Sequence, residues 1–161
     1  ALGEAPQPTT EHFENLLWEA VRGLDPQRPA WVEDESLMIG HVRIPDTLFA
    51  QLRQAPTCFV EIPLEERVER LVQDYGHHPQ EALAESLLRI RKRLGPQHCK
   101  AALEALEAGD LRTVAAITLR YYDKAYLRGL TERSPDSVTR LTGSAHDLRG
   151  LAHRLQHHGA S

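Results

Sequence analysis

The stretch Thr57-Cys58-Phe59-Val60-Glu61-Ile62-Pro63-Leu64-Glu65-Glu66-Arg67-Val68-Glu69-Arg70-Leu71 decides how the chain is read. Its first six residues are mostly apolar and partly β-branched, and Pro56 and Pro63 bound them, which marks a short buried strand. From Leu64 the apolar residues recur as Val68, Leu71, Val72 and Tyr75, one face of a helix, and Gly76 stands at the C-cap. A strand that runs directly into an amphipathic helix belongs to α/β architecture rather than to an all-helical bundle.

Upstream, Thr9-Thr10 follow Pro6 and Pro8 and offer a capping hydroxyl. Phe13, Leu16, Leu17, Ala20, Val21 and Leu24 then line one helical face until Asp25-Pro26. Ala30-Trp31-Val32 predicts a short buried strand over residues 30–33, because Trp and Val favour pleated surfaces. The acidic cluster Glu33-Asp34-Glu35-Ser36 then forms the loop at that strand's C-terminal end. Ile39-Gly40 and Val42-Arg43-Ile44 suit a brief extended piece. Pro45 opens a helix with Leu48, Phe49 and Leu52 inward, stopped by Ala55-Pro56.

Downstream, Pro79, Pro96 and Asp110 each open a helical pattern. The first carries Leu83, Leu87, Ile90 and Leu94, the second Cys99, Leu103 and Leu106, the third Leu111, Val114, Thr118 and Tyr121-Tyr122, with Gly95 and Gly109 at the joints. Three short helices packed as an appendage follow from this. Beyond Arg133 the chain is rich in Ser, Thr, Gly and His, and it reads as one helix near 145–157, through Leu148, Leu151, Ala152 and Leu155, or as disorder.

The chain of 161 residues can bury one modest core. It starts at Ala1 rather than Met, which suggests a piece of a longer product. Residues 1–10 have no basic start and no apolar run, so no signal peptide is expected, and no run of about 18 apolar residues suggests a membrane span. Cys58 and Cys99 form no C-x-x-C, so a disulfide framework is not expected and a reducing, cytoplasmic setting fits. The net charge of −4 hides an asymmetry: residues 1–75 hold 6 basic and 14 acidic side chains, residues 76–161 hold 13 and 9. Such a basic half suits either a nucleic-acid face or an ordinary solvated helical surface.

Several groups of residues could carry chemistry. Carboxylates beyond the C-terminal end of a strand can organise Mg²⁺ or phosphate, which singles out Glu33, Asp34, Glu35 and Ser36; a solvated or capping loop is the plainer alternative. Arg67 and Arg70 on the helix after the central strand could meet phosphate, or Arg70 could pair with Glu66 four residues earlier. Arg89, Arg91, Lys92 and Arg93 place four cations within five residues, suited to phosphates or to a helix C-terminus. Tyr121, Tyr122 and Tyr126, with Arg120, Lys124 and Arg128 beside them, could stack bases or anchor a helix. His153 and His157 could meet on one helical face, but no spacing matches a zinc pattern. Neither G-x-x-x-x-G-K-[ST] nor G-x-G-x-x-G occurs.

Taken in order, a set of pieces resembles the tRNA 2-selenouridine synthase family over about residues 2–130. They are Phe13-Glu14 with Leu16-Leu17, Trp31-Val32-Glu33-Asp34-Glu35-Ser36, Ile39-Gly40, Ile44-Pro45, Ala55-Pro56, Glu61-Ile62-Pro63, Glu66-Arg67-Val68, Arg93-Leu94-Gly95, and Tyr121-Tyr122-Asp123 with Tyr126. The resemblance implies an enzyme acting on the wobble uridine of tRNA. Such an enzyme converts 2-thiouridine to 2-selenouridine with selenophosphate, through a geranylated thiouridine, so geranyl diphosphate is also a substrate. It also implies an upstream rhodanese-like domain with an essential cysteine and a P-loop glycine motif. Neither is found here, and neither Cys58 nor Cys99 matches that cysteine. Glu33, Asp34, Glu35, Ser36 and Gly40 match the family's motif and inherit only a presumed place beside the phosphate site.

The expected architecture is therefore α/β and predominantly helical. Residues 1–75 form the later half of a P-loop-type domain, 76–133 a helical C-terminal subdomain, and 134–161 a tail. The expected function is part of a tRNA-modifying selenium transferase, inert alone, with tRNA and the upstream segments as partners and no membrane. The truncated sheet is expected to self-associate, to swap domains or to rearrange over residues 1–75. The alternatives are a non-catalytic RNA-binding module, favoured if arginine substitutions weaken salt-dependent RNA binding, and a P-loop-like kinase fragment, disfavoured by the missing glycine loop.

Overall fold

The computed structural model describes residues 6–34 and 36–158. Helix α1 (Thr10–Arg22) begins where Thr9 accepts a hydrogen bond from the His12 amide at 3.2 Å, as its hydroxyl predicts. Strands β1 (Met38–Ile39) and β2 (Val42–Arg43) form a two-residue hairpin. Gly40 has φ +64° at the first turn position, where such hairpins favour glycine. The Gln7 side chain clasps this turn, donating to the Ile39 carbonyl at 2.9 Å and accepting from the His41 amide at 3.1 Å. Helix α2 (Asp46–Gln54) follows Pro45, β3 covers Thr57–Glu61 and α3 covers Leu64–Tyr75, all close to expectation.

The strand expected at residues 30–33 is not formed. Those residues are irregular, and Trp31 and Val32 are 52% and 60% exposed. An isolated apolar run gains strand structure only from a neighbour that takes up its backbone hydrogen bonds, and no described strand lies beside it. The acidic cluster is accordingly not at the C-terminal end of a strand.

Beyond α3 the chain turns helical: α4 (Gln80–Arg89), α5 (Arg91–Leu94), α6 (Pro96–Glu107) and α7 (Leu111–Thr131). Two departures from the sequence reading appear. The pattern from Leu83 to Leu94 is broken at Ile90 into α4 and α5. The Ser86 hydroxyl donates back to the Ala82 carbonyl at 3.0 Å, and the following ladder bond from Ile90 to Ser86 stretches to 3.4 Å; such back-bonding bends helices. Helix α7 is not short. It runs for 21 residues because α3 and α6 both pack along it.

The core lies among these helices. Leu87, Ala102 and Leu106 are buried together, with Leu83, Leu103, Leu111, Val114 and Ile117 against them. Each large side chain buried there stabilises the fold by about 1.5–3 kcal/mol. Cys99 is buried beside them, and its thiol approaches the Leu87 carbonyl at 3.7 Å.

The segment after Arg133 contains a strand that sequence reading did not identify. After a short 3-10 turn (Pro135–Ser137), β4 (Val138–Thr142) pairs in parallel with β3, from Thr57 beside Val138 to Glu61 beside Thr142. Helix α8 (Leu148–His158) closes the chain near its expected place. The helices α3 to α7 thus form the crossover between two parallel strands, as parallel pairing requires. The described fold is α/β and mostly helical.

Candidate functional site

The groups singled out from sequence separate into two regions. The first runs along β3. A cavity of about 840 Å³ is bounded by β3, by residues 30–34 and by side chains of α7 and α8. At the N-terminal end of β3, Arg133 is almost wholly buried. It donates to Asp34 Oδ1 at 2.7 Å and to the carbonyls of Leu52, Arg53 and Ala55 at 3.1–3.3 Å. Arg53 donates to the same Asp34 oxygen at 3.1 Å and to the Gly129 carbonyl. A buried guanidinium needs such a partner, because an unpaired charge there is costly. Asp34 is therefore committed to tying the α2–β3 corner to the end of α7.

Glu33 is exposed, Ser36 donates to the Met38 carbonyl at 2.7 Å, Gly40 sits in the hairpin turn, and Glu35 lies outside the described residues. Among the described residues no three metal-ligating side chains converge, and both described bonds to the Asp34 carboxylate come from cations. The donor set among the described residues does not fit Mg²⁺.

At the other end of β3, Arg67 makes a two-pronged pair with Asp123 of α7, at 2.5 and 2.9 Å, and donates to the Ile62 carbonyl at 3.0 Å. The hydrogen bonds that Arg67 donates to Asp123 raise the Arg67 pKa above its ordinary value, against a smaller opposing effect of burial. Arg70 does not pair with Glu66. It pairs with Asp74 at 2.8 Å, while Glu66 accepts the Ser144 hydroxyl and the Ala145 amide, both at 2.7 Å. These bonds lower the Glu66 pKa, the Ser144 hydroxyl contributing most. Glu66 thereby fixes the loop after β4 beside the start of α3.

The second region is the outer edge of the helical part. Arg89 closes α4 and reaches Glu85 at 3.5 Å on an exposed face. Arg91, Lys92 and Arg93 project from α5, all exposed, and none forms an ion pair among the described residues. Tyr121 and Tyr122 are in contact, with ring centroids 5.0 Å apart. Partial burial is the main cause raising the Tyr122 pKa, the nearby Tyr121 and Tyr75 add to it, and the Arg93 charge acts the other way. Arg93 and Tyr122, separated by 28 intervening residues, thus lie near enough for the charge to act on the phenol. Tyr122, Tyr75 and Arg89 also line an apolar cavity of about 440 Å³ between α3, α4 and α7. Tyr126 is exposed and lines the first cavity instead.

Sequence reasoning missed Arg53 and Arg133 because neither belongs to a local pattern. Asp123 stood in sequence only as the residue flanked by Tyr121, Tyr122 and Tyr126, with no partner assigned. His153 and His157 do meet on one face of α8, with their Nε2 atoms 3.1 Å apart. No described helix is long and apolar enough to cross a membrane.

Comparison with known proteins adds identity to this geometry. The family model described as "tRNA 2-selenouridine synthase AAA domain" matches residues 2–158. A tRNA 2-selenouridine synthase of Aeromonas salmonicida is 33% identical over 87% of this chain and 47% of its own length. Those of Marinobacter nauticus and Cronobacter sakazakii are 29% and 32% identical, over 84% and 92% of this chain and 45% and 49% of theirs. The chain spans about half the length of the curated relatives it matches. No solved structure matches it. The chain belongs to the tRNA 2-selenouridine synthase AAA-domain family.

Proposed function

We propose that the chain forms part of a tRNA-modifying transferase, and that its share of the work is to hold substrate rather than to carry the reacting group. In this reading the complete enzyme replaces the sulfur of a wobble 2-thiouridine by selenium from selenophosphate, by way of a geranylated thiouridine. The rhodanese cysteine and the phosphate-binding glycine loop are supplied from outside these residues. Residues 1–75 correspond to the later half of a P-loop-type domain. The parallel β3–β4 pair with its helical crossover supports the α/β part of that reading and draws residues 138–142 into the same sheet.

The observation that carries the substrate-holding role is the α5 edge: Arg91, Lys92 and Arg93 stand exposed and, among the described residues, without ion-pair partners, with Tyr122 within electrostatic reach of Arg93. Free guanidinium and ammonium groups can neutralise RNA phosphates, and an adjacent ring can stack a base. Arg67 and Arg70 fit such contacts less well, because Asp123 and Asp74 already partner them.

The test is tRNA binding by the chain across a salt series. Each phosphate contact contributes about 0.7–0.9 to the slope of log affinity against log salt. Removing Arg91, Lys92 and Arg93 together lowers that slope by about 2, whereas Arg70→Ala leaves it nearly unchanged. An unaltered slope in the triple variant refutes the role. The chain alone turns over no thiolated tRNA in this reading, and turnover by the isolated 161 residues counts against it.

A further inference from the structure

We propose that His153 and His157 of α8 form a two-imidazole binding site for a divalent late transition metal ion, Cu²⁺ or Zn²⁺. The inference is independent of the tRNA reading. The two residues are four positions apart on α8, so their side chains stand one turn apart on the same face. Their Nε2 atoms lie 3.1 Å apart and their ring centroids 4.3 Å apart. Both side chains are exposed, whereas Leu151 is buried and Leu155 half-buried on the opposite face. The helix is thus held by its apolar side, and its backbone presents the pair to solvent in a fixed register.

The spacing is that of two ligands on one ion. Imidazole nitrogens bind such metals at about 2.0–2.1 Å, so two of them stand about 2.8–3.0 Å apart at a right angle and about 3.3–3.4 Å apart at the tetrahedral angle. The observed 3.1 Å falls between the two. Without metal the same contact is a hydrogen bond, in which one Nε2 donates its N–H and the other accepts. Metal binding needs the donor ring to carry its proton on Nδ1 instead. Both Nε2 lone pairs then converge on one point, and two neutral rings lose no proton overall. Among the described residues no third His, Cys, Asp or Glu joins the pair, so water takes the remaining coordination positions. Imidazole suits Cu²⁺ and Zn²⁺ rather than Mg²⁺ or Ca²⁺, and Cu²⁺ binds such donors most tightly. Arg149 and Arg154 share this stretch of α8 and are exposed, so neither guanidinium is fixed beside the incoming cation. An ion bridging the two histidines staples the last turn of α8, and with it Leu155, which lines the β3 cavity. Metal occupancy therefore firms one wall of that cavity.

The experiment is amide exchange read by peptide-level mass spectrometry on the full product of the native gene, with and without Zn²⁺ or Cu²⁺. Only the helical turn sets the two nitrogens together, so free metal at about ten times its Kd should slow exchange at residues 154–158 about tenfold. Equilibrium dialysis should find one ion fewer per chain in His153→Ala than in the parent. The decisive variant combines Gln156→His with His157→Gln. It keeps all nine histidines of these 161 residues but moves one ring about 100° around the helix, and it should abolish both effects. Protection by neither ion would overturn the proposal, as would equal protection in the parent and the shifted variant. A loss of half an ion per chain in His153→Ala would also overturn it, by assigning the pair to a joint between two copies. The substituted residues are all exposed, and unchanged exchange across α6 shows that each variant keeps its fold.

Discussion

Asp34 offers the most direct test of what the acidic cluster does. Replacing it by alanine removes the carboxylate oxygen that accepts from Arg133 at 2.7 Å and from Arg53 at 3.1 Å. Hydrogen bonds to charged groups contribute about 1.5–3 kcal/mol each, and breaking a buried ion pair costs about 3–5 kcal/mol. Asp34 is a third exposed, and Arg133 keeps three carbonyl acceptors, which places the expected loss lower, at about 2–3 kcal/mol. For a chain of this size that is a fall of roughly 4–12 °C in Tm. Urea unfolding followed by circular dichroism measures it, with Glu33→Ala as the control expected within about 0.5 kcal/mol of the parent. The Asp34→Ala deficit should persist in high salt, because screening acts weakly on a pair whose cation is buried. If Asp34→Ala is no less stable than Glu33→Ala, the arginine clamp is not what this carboxylate is for, and a role in binding phosphate or metal returns.

The remaining predictions concern other parts of the frame. A double-mutant cycle on Arg67→Ala and Asp123→Ala should give a coupling of about 1–2 kcal/mol in unfolding free energy, since the pair is bidentate and partly shielded; additive losses would show that the two do not act on each other. Glu66 has a pKa lowered in the folded state by Ser144 and Ala145. The stability it contributes is therefore complete above its unfolded value, near 4.5, and is lost as pH falls through the lower folded value. Stability curves of the parent and Glu66→Gln should run parallel at neutral pH and converge in acid; a constant gap across the range contradicts the linkage. Leu106→Ala, at the centre of the helical core, should cost about 2–5 kcal/mol by equilibrium unfolding, and a smaller loss would mean that the core closes around the gap.

Local pattern alone determined much of this protein. The bounded apolar run at Thr57–Ile62, the spacing of Val68, Leu71 and Val72, and the capping residues Thr9 and Asp110 specify β3, α3 and the starts of α1 and α7. Each is an interaction between residues a few positions apart, which sequence displays directly. The ordered set of family pieces likewise pointed to the family that the comparison identified. The tertiary structure decided the rest. Val138–Thr142 became a strand because β3 lies beside it, 81 residues earlier in register, while Trp31-Val32 did not because no described strand pairs with it. Asp34 gained its two arginine partners because the fold set Arg53 and Arg133 against it. Strand pairing and buried charge both depend on partners distant in sequence, and only the folded chain selects those partners.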